Sequence, residues 1–276
     1  MTNVTSSPVP WRRQTRAFAR RHLQQLVRDK MILFLTVGWP ILWYFLTMTF
    51  FVEVPAGTDL GPLKAANGIN YGLFGAFTVT VSLFAGGFAR DLESNRYRKL
   101  RTMPLAPTAD LAGRFAVGTL FGVTSYLATV AVASLDGAAF PALDAGTIGV
   151  LLATLLLFCL IAMALAMVLA LVVTKPEQLT TIAIVIVLLA YFMTGFNGTS
   201  PEMLANSAGM VNYLPNSLAT RMQIGYWLGT ERIAFMAPPE VPTSREYVAL
   251  LVGYAAVLSA VSVLVMRRVA YGGGSR

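Results

Sequence analysis

Residues 145–174 read AGTIGVLLATLLLFCLIAMALAMVLALVVT, thirty consecutive positions without a single Asp, Glu, Lys, Arg or His. A helix rises about 1.5 Å per residue, so this run can cross a hydrocarbon layer of roughly 30 Å with residues to spare. Five further charge-free runs flank it, at 31–52, 65–89, 115–135, 178–201 and 247–266. One Lys, Arg or Asp at the centre of a span costs about 2.5–3.5 kcal/mol, and none of the six runs carries one. The pattern predicts an all-α polytopic membrane protein, a single transmembrane domain over residues 1–276, with spans at 31–52, 69–89, 112–135, 147–173, 178–197 and 247–266. A seventh charge-free run, 203–220, holds three Asn, two Ser, a Thr and Pro215, and is too polar to count as a span.

Composition agrees. Apolar residue types make up 56% of the chain and charged types 12%, about half the charge needed to coat a soluble surface. One Cys (Cys159) and one His (His22) exclude a disulfide within the chain and a Cys/His zinc site. The first 30 residues lack the apolar core of a cleavable signal.

Lys and Arg are strongly asymmetric. Seventeen fall in the N-terminal arm, the loop after the second run, Lys175 and the C-terminus, and only four (Lys64, Arg221, Arg232, Arg245) on the other side. The positive-inside rule then places both termini in the cytoplasm, as an even number of spans requires. The basic excess follows from topology and from attraction to anionic lipid, so no nucleic-acid partner is expected.

Between the spans, three segments carry pattern. From Trp11 to Asp29, Trp11, Thr15, Phe18, His22 and Leu26 share one helical stripe, and Arg13, Arg16, Arg20, Gln24 and Arg28 share the opposite one. This is a basic amphipathic helix at the inner membrane surface. It serves either as an elbow bracing the bundle against a partner or as a simple surface anchor, with His22 in a packing or headgroup contact. Residues 90–114, RDLESNRYRKLRTMPLAPTADLAGR, predict an amphipathic helix over 91–104 with Leu92, Leu100 and Met103 on one face. A turn at Pro104 and Pro107 follows, then a helix capped by Thr108 with Asp110 in its first turn. The loop is read as a docking element against the alternative of a solvated loop, and Asp91 and Glu93 are read as surface charges. Residues 197–246 form an external segment punctuated by five prolines. Within it, Asn216 or Ser217 caps a helix running to about Gly229, on or dipping into the outer leaflet.

Within the spans, Pro40 predicts a kink, and the glycines of the second and third runs (Gly118 and Gly122 at GxxxG spacing among them) predict close helix packing. No span offers a titratable relay for ion coupling. No nucleophile–base pair, metal cluster or phosphate-cradling Gly-rich loop is present. No catalytic, cofactor-binding or metal-ligating residue is therefore assigned.

In order and spacing, these features resemble the permeases of type 2 ABC transporters. The carrying motifs are Asp91-Leu92-Glu93 through Arg98-Lys99-Leu100-Arg101-Thr102-Met103-Pro104-Leu105 to Gly113-Arg114, then Phe192-Met193-Thr194-Gly195, then Tyr213-Leu214-Pro215 with Arg221. The first of these has a flavour similar to daunorubicin-resistance-type exporters, apart from Asn95 where a Gly-Thr-Leu start is frequent. The resemblance implies a permease without its own ATPase site, paired with a second permease and docked to a separate cytosolic ATP-binding-cassette subunit that holds ATP and Mg. It would lie in the plasma membrane of a prokaryotic cell. Coupling would involve Asp91, Leu92, Glu93, Arg96, Lys99, Leu100, Arg101, Met103 and Pro104, aided by Trp11, Arg16, Phe18 and Arg20 of the elbow. Trp39, Tyr44, Phe74, Phe77, Tyr191 and Phe192 would line the path of a small amphipathic compound, lipid or glycan. An ATPase-independent membrane enzyme or scramblase, or a scaffold subunit, is the alternative.

Overall fold

A computed structural model describes residues 9–52, 57–173, 175–196, 208–233, 241–242 and 244–272. Ten helices follow one another among the described residues: α1 (Trp11–Val27), α2 (Lys30–Phe51), α3 (Gly61–Glu93), α4 (Arg96–Leu100), α5 (Pro107–Leu135), α6 (Ala145–Val172), α7 (Pro176–Phe192), α8 (Pro215–Leu228), α9 (Thr230–Ile233) and α10 (Arg245–Ala270). A 3₁₀ segment, Ala208–Tyr213, precedes α8. Five of them (α2, α3, α5, α6 and α10) are long and apolar enough to cross a membrane. The fifth expected span, 178–197, corresponds to α7. At 17 residues α7 extends about 26 Å, and its apolar part is Thr181–Phe192. Residues 197–207 and 234–240, with Pro201, Pro238 and Pro239, lie outside the described residues.

The bundle is built around α3. Its 33 residues extend about 50 Å, longer than the hydrocarbon layer, and α2, α5, α6, α7 and α8 all pack against it. Small residues permit this. A Cβ at Gly68 would stand 2.6 Å from the Ala133 methyl, one at Gly72 2.9 Å from the Tyr126 ring and one at Gly75 2.6 Å from the Pro40 ring. On α5, side chains at Gly118 and Gly122 would run into Met163 and Cys159 of α6, so the GxxxG face is a helix–helix contact, as expected.

The outer helices show one buried stripe and one apolar exposed face. On α7, Leu179, Ala183, Val187 and Tyr191 are buried at intervals of four, while Ile182, Val185, Ile186 and Leu189 are exposed. On α2, Ile32, Thr36, Pro40, Tyr44 and Thr47 face inward, and Leu42, Phe45, Phe50 and Phe51 outward. Pro40 is accommodated by a π-helical turn over Phe34–Gly38, in which the Trp39 amide reaches back to the Phe34 carbonyl. The wide turn absorbs the hydrogen bond that proline cannot donate.

At the end of the bundle where α3 begins and α5 ends, Lys64 Nζ sits 3.0 Å from Asp136 Oδ2, which also accepts from the Tyr44 hydroxyl at 2.9 Å. These contacts close α2, α3 and α5 together. The opposite end holds the candidate site.

Two expectations need correction. The segment 91–104 is not one helix: α3 runs on to Glu93, Asn95 takes the left-handed conformation (φ 55°), and α4 spans only Arg96–Leu100. Asn tolerates that conformation better than most residues, so the break sits where the local sequence permits it. And of the two placements read for α8, on the outer leaflet or dipping into it, the first fails. Ser217–Gly225 is buried throughout, among α3, α6, α7 and α10. Its N-cap is Leu214, ahead of Pro215, with no side-chain cap. Asn216 and Ser217, read as caps, instead donate to the Ala190 and Met193 carbonyls. Those carbonyls lie at the C-terminal end of α7, where acceptors outnumber the helix's own donors.

A buried ionic centre beneath the candidate coupling surface

The last turn of α3 carries Asp91, and the second turn of α5 carries Arg114. Arg114 Nη2 donates to Asp91 Oδ2, and Arg114 Nε to Asp110 Oδ1, one turn back on the same helix, at 3.2 Å. Arg96 of α4 reaches the same Asp91 oxygen at 2.6 Å. From α1, His22 Nε2 lies 3.3 Å from Asp110 Oδ1. Five side chains from α1, α3, α4 and α5 thus form one connected array. Asp110 is fully buried and Arg114 nearly so. Asp91 is therefore not the surface charge expected, and His22 faces Asp110 rather than a lipid headgroup. Burial, reinforced by the positive charge of Arg114, holds the His22 imidazole below its ordinary range against the opposing hydrogen bond to Asp110.

Neutral contacts extend the array. Gln14 of α1 accepts the Ala106 amide at 2.8 Å. Trp11 Nε1 donates to Thr108 Oγ1 at 3.1 Å, so Thr108 holds the elbow rather than capping α5, whose N-cap is Ala106. Asp110 does occupy the first turn of α5. Gly113 lets α1 approach: a Cβ there would stand 2.8 Å from Phe18 Cβ and 2.9 Å from the Ala19 amide nitrogen. Phe18 is buried at that contact, while Arg16 and Arg20 stay exposed.

Tyr97 of α4 is buried against Phe88 and Tyr271, and burial keeps its phenol well above the ordinary range. Arg101 donates through Nε to the Ala270 carbonyl (2.9 Å) and through Nη2 to the Val269 carbonyl (3.2 Å), the C-terminal end of α10. A cation is favoured there.

The expected coupling residues therefore divide. Asp91, Arg96 and Leu100 point inward, and Leu92 is half-buried. Arg101 clasps α10 by two hydrogen bonds, although it is exposed. Glu93, Lys99, Met103 (53% exposed) and Pro104 form the outer surface, with Arg98 and Thr102, which were not among the expected residues, beside them. Sequence reading named Asp110, Arg114 and His22 without joining them to Asp91 and Arg96, and missed Tyr97 and Gln14. The available signal was the Asp110–Arg114 pair at (i, i+4), which places both charges on one face of an otherwise apolar helix.

Residues 13–215 match the family model for the ABC-2 type transporter, well over half of the chain. The chain belongs to the ABC-2 type transporter family. No curated protein matches it.

In this ABC-2 permease the residues expected along a path are mostly closed on one another. Tyr44, Phe74 and Tyr191 join through Tyr71, with ring centroids 6.5 Å (Tyr44–Tyr71), 5.1 Å (Tyr71–Tyr191) and 4.8 Å (Phe74–Tyr191) apart. Phe77 packs on Phe158 of α6 at 5.3 Å. Trp39, half-buried, lies beside Trp43, and Phe192 is 41% exposed. A gap of about 10 Å³ remains between α3, α6, α7 and α8, bordered by Asn70, Thr194 and Asn216 as well as the aromatic rings. That is room for about one water.

The permease also buries Arg221 completely. Its Nε donates to Asn212 Oδ1 at 2.7 Å, and Nη1 lies 3.5 Å from the Thr194 carbonyl. It ties the 3₁₀ segment and the end of α7 to α8.

Proposed function

We propose that this permease is the membrane half of an ATP-driven exporter in a prokaryotic plasma membrane. Both termini lie in the cytoplasm, α7 extended toward residue 197 serves as a sixth span, and a second permease completes the transport unit. A separate cytosolic ATP-binding-cassette subunit holds ATP and Mg and docks on the outer surface of residues 93–104. Its closure rocks the paired bundles and moves a small amphipathic compound, lipid or glycan outward along the aromatic seam of α2, α3 and α7.

The observation that carries this reading is the ionic centre. A surface that transmits force must not yield, and the segment behind Lys99 and Met103 is pinned by Arg96 to α3, by Arg101 to α10 and by Gln14 to α1. The seventeen-to-four asymmetry of Lys and Arg supports a cytoplasmic position for that surface.

The test uses exposed positions. Leu100 is buried, so Leu100→Asp would disrupt the segment itself. Lys99→Glu with Met103→Asp alters only the outer surface. Affinity purification of the tagged wild-type chain from native membranes should retain an ATP-binding-cassette ATPase. The double variant should be produced in normal amount and lose that ATPase together with transport. Retention of the ATPase at the wild-type level would place the docking surface elsewhere.

A further inference from the structure

A cavity of about 240 Å³ opens between α1, α2, α3 and α5, beside the ionic centre. It is amphipathic along its length. Ile32, Leu83, Phe84 and Val117 form an apolar wall, and Gln25, Asp29 and Arg90 are among the residues at its polar end. Drug-sized ligands generally need about 300–1,000 Å³, so the space suits a headgroup and the first carbons of a chain rather than a whole transported molecule.

The charges around it are unequally committed. Asp29 accepts the Met31 and Ile32 amides at 3.0 and 3.3 Å, as the N-cap of α2. Asp91 is taken by Arg96 and Arg114, and Arg114 in turn by Asp91 and Asp110. Arg90 alone among these cavity charges is exposed and makes no ion pair or side-chain hydrogen bond among the described residues. Exposed Arg20, Arg21, Arg28 and Lys30 lie on or next to the helix that borders the cavity. Beside Arg90, one turn away on α3, Gly87 borders the cavity, and a Cβ there would meet nothing within 4 Å.

We propose that this cavity binds an acidic phospholipid of the inner leaflet, its phosphate on Arg90 and its chain along Leu83, Phe84 and Ile32. An uncommitted guanidinium selects phosphate, the surrounding basic residues favour an anionic lipid, and the apolar wall offers contacts that an acyl chain would use and a free inorganic ion would not. The proposal rests on the membrane placement given above and not on ATP-driven transport.

Native mass spectrometry of the full chain tests it, after reconstitution in mixed phosphatidylglycerol–phosphatidylcholine vesicles and extraction in mild detergent, with no nucleotide or ATPase present. Wild type should retain phosphatidylglycerol over phosphatidylcholine by about fivefold, the value of one well-placed basic contact. Arg90→Gln removes the cation, and Gly87→Leu fills the space at a position where the backbone already suits a side chain. Each should abolish the preference, while Arg98→Gln, an exposed cation away from the cavity, should keep it. The proposal is overturned if Arg90→Gln retains the preference, if Arg98→Gln loses it equally (a diffuse basic surface), or if millimolar inorganic phosphate strips the lipid (a free-phosphate site). Should Gly87→Leu fail to fold, Arg90→Gln decides alone.

Discussion

At the scale of the residue, the question is why a chain that is 12% charged buries Asp110 and Arg114. A buried ion pair is often no better than well-packed apolar groups, but removing one member of it is costly, because the other is left uncompensated. Arg114 has two dependants, Asp91 and Asp110. Arg114→Met keeps the stem and removes the charge, and should destabilise the protein by about 3–5 kcal/mol. Arg98→Met, at an exposed position on α4, should stay within about 0.5 kcal/mol of wild type. Unfolding of both variants in one detergent checks the pair of values, and equal stability would mean that the array contributes nothing to holding the segment. Arg114 also marks a limit of reading. Counted along the chain it is one more cation of a basic loop, and its role depends on α1 and α3, which lie far away in sequence.

At the scale of the element, what could be read depended on whether lipid or protein surrounds a residue. The charge-free runs of α2, α3, α5, α6 and α10 were visible because hydrocarbon rejects charge wherever it meets a helix. Their glycines were visible as contacts, since only small residues admit a neighbouring backbone. The polar helix α8 was not, because Asn, Ser, Gln and Arg suggest a wet surface until partners are known. Here Gln223 donates to the Leu151 carbonyl (3.2 Å) and Thr154 Oγ1 (2.9 Å), and Arg221 to Asn212. A polar helix can thus be buried once most of its groups find partners, although Gln223 Oε1 has none among the described residues. The amphipathic α1 was half legible. Its periodicity was plain, but the surface beneath it is α5 rather than lipid, and Gly113 makes that contact possible. Gly113→Val would push Phe18 and the backbone of Thr15 and Ala19 away, at about 1–3 kcal/mol for overpacking. Hydrogen exchange should then rise across Trp11–Val27 while α6 remains protected. Unchanged protection of α1 would show that the elbow is held by its polar contacts alone.

At the scale of the molecule, the two ends of the bundle differ in electrostatic character, and that difference is an experimental handle. One end closes with Lys64, Asp136 and Tyr44. The other carries the ionic centre, the exposed cations of α1 and the outer surface of residues 93–104. The second end is the one proposed above to face the cytoplasm, on the positive-inside rule. The chain is well suited to a test of that assignment because its one cysteine, Cys159, is fully buried against α5, out of reach of a water-soluble reagent. Wild-type protein in intact cells should therefore be silent to a membrane-impermeant maleimide. Leu135→Cys, at a side chain 89% exposed at the Asp136 end, should react from outside, whereas Thr102→Cys should react only after the membrane is opened. Both substitutions lie on exposed surface, so each protein should fold and the labelling should report side alone. Labelling of Thr102→Cys in intact cells would invert the bundle. It would put the coupling surface beyond the reach of any cytosolic ATPase, although every contact inside the bundle would remain as described.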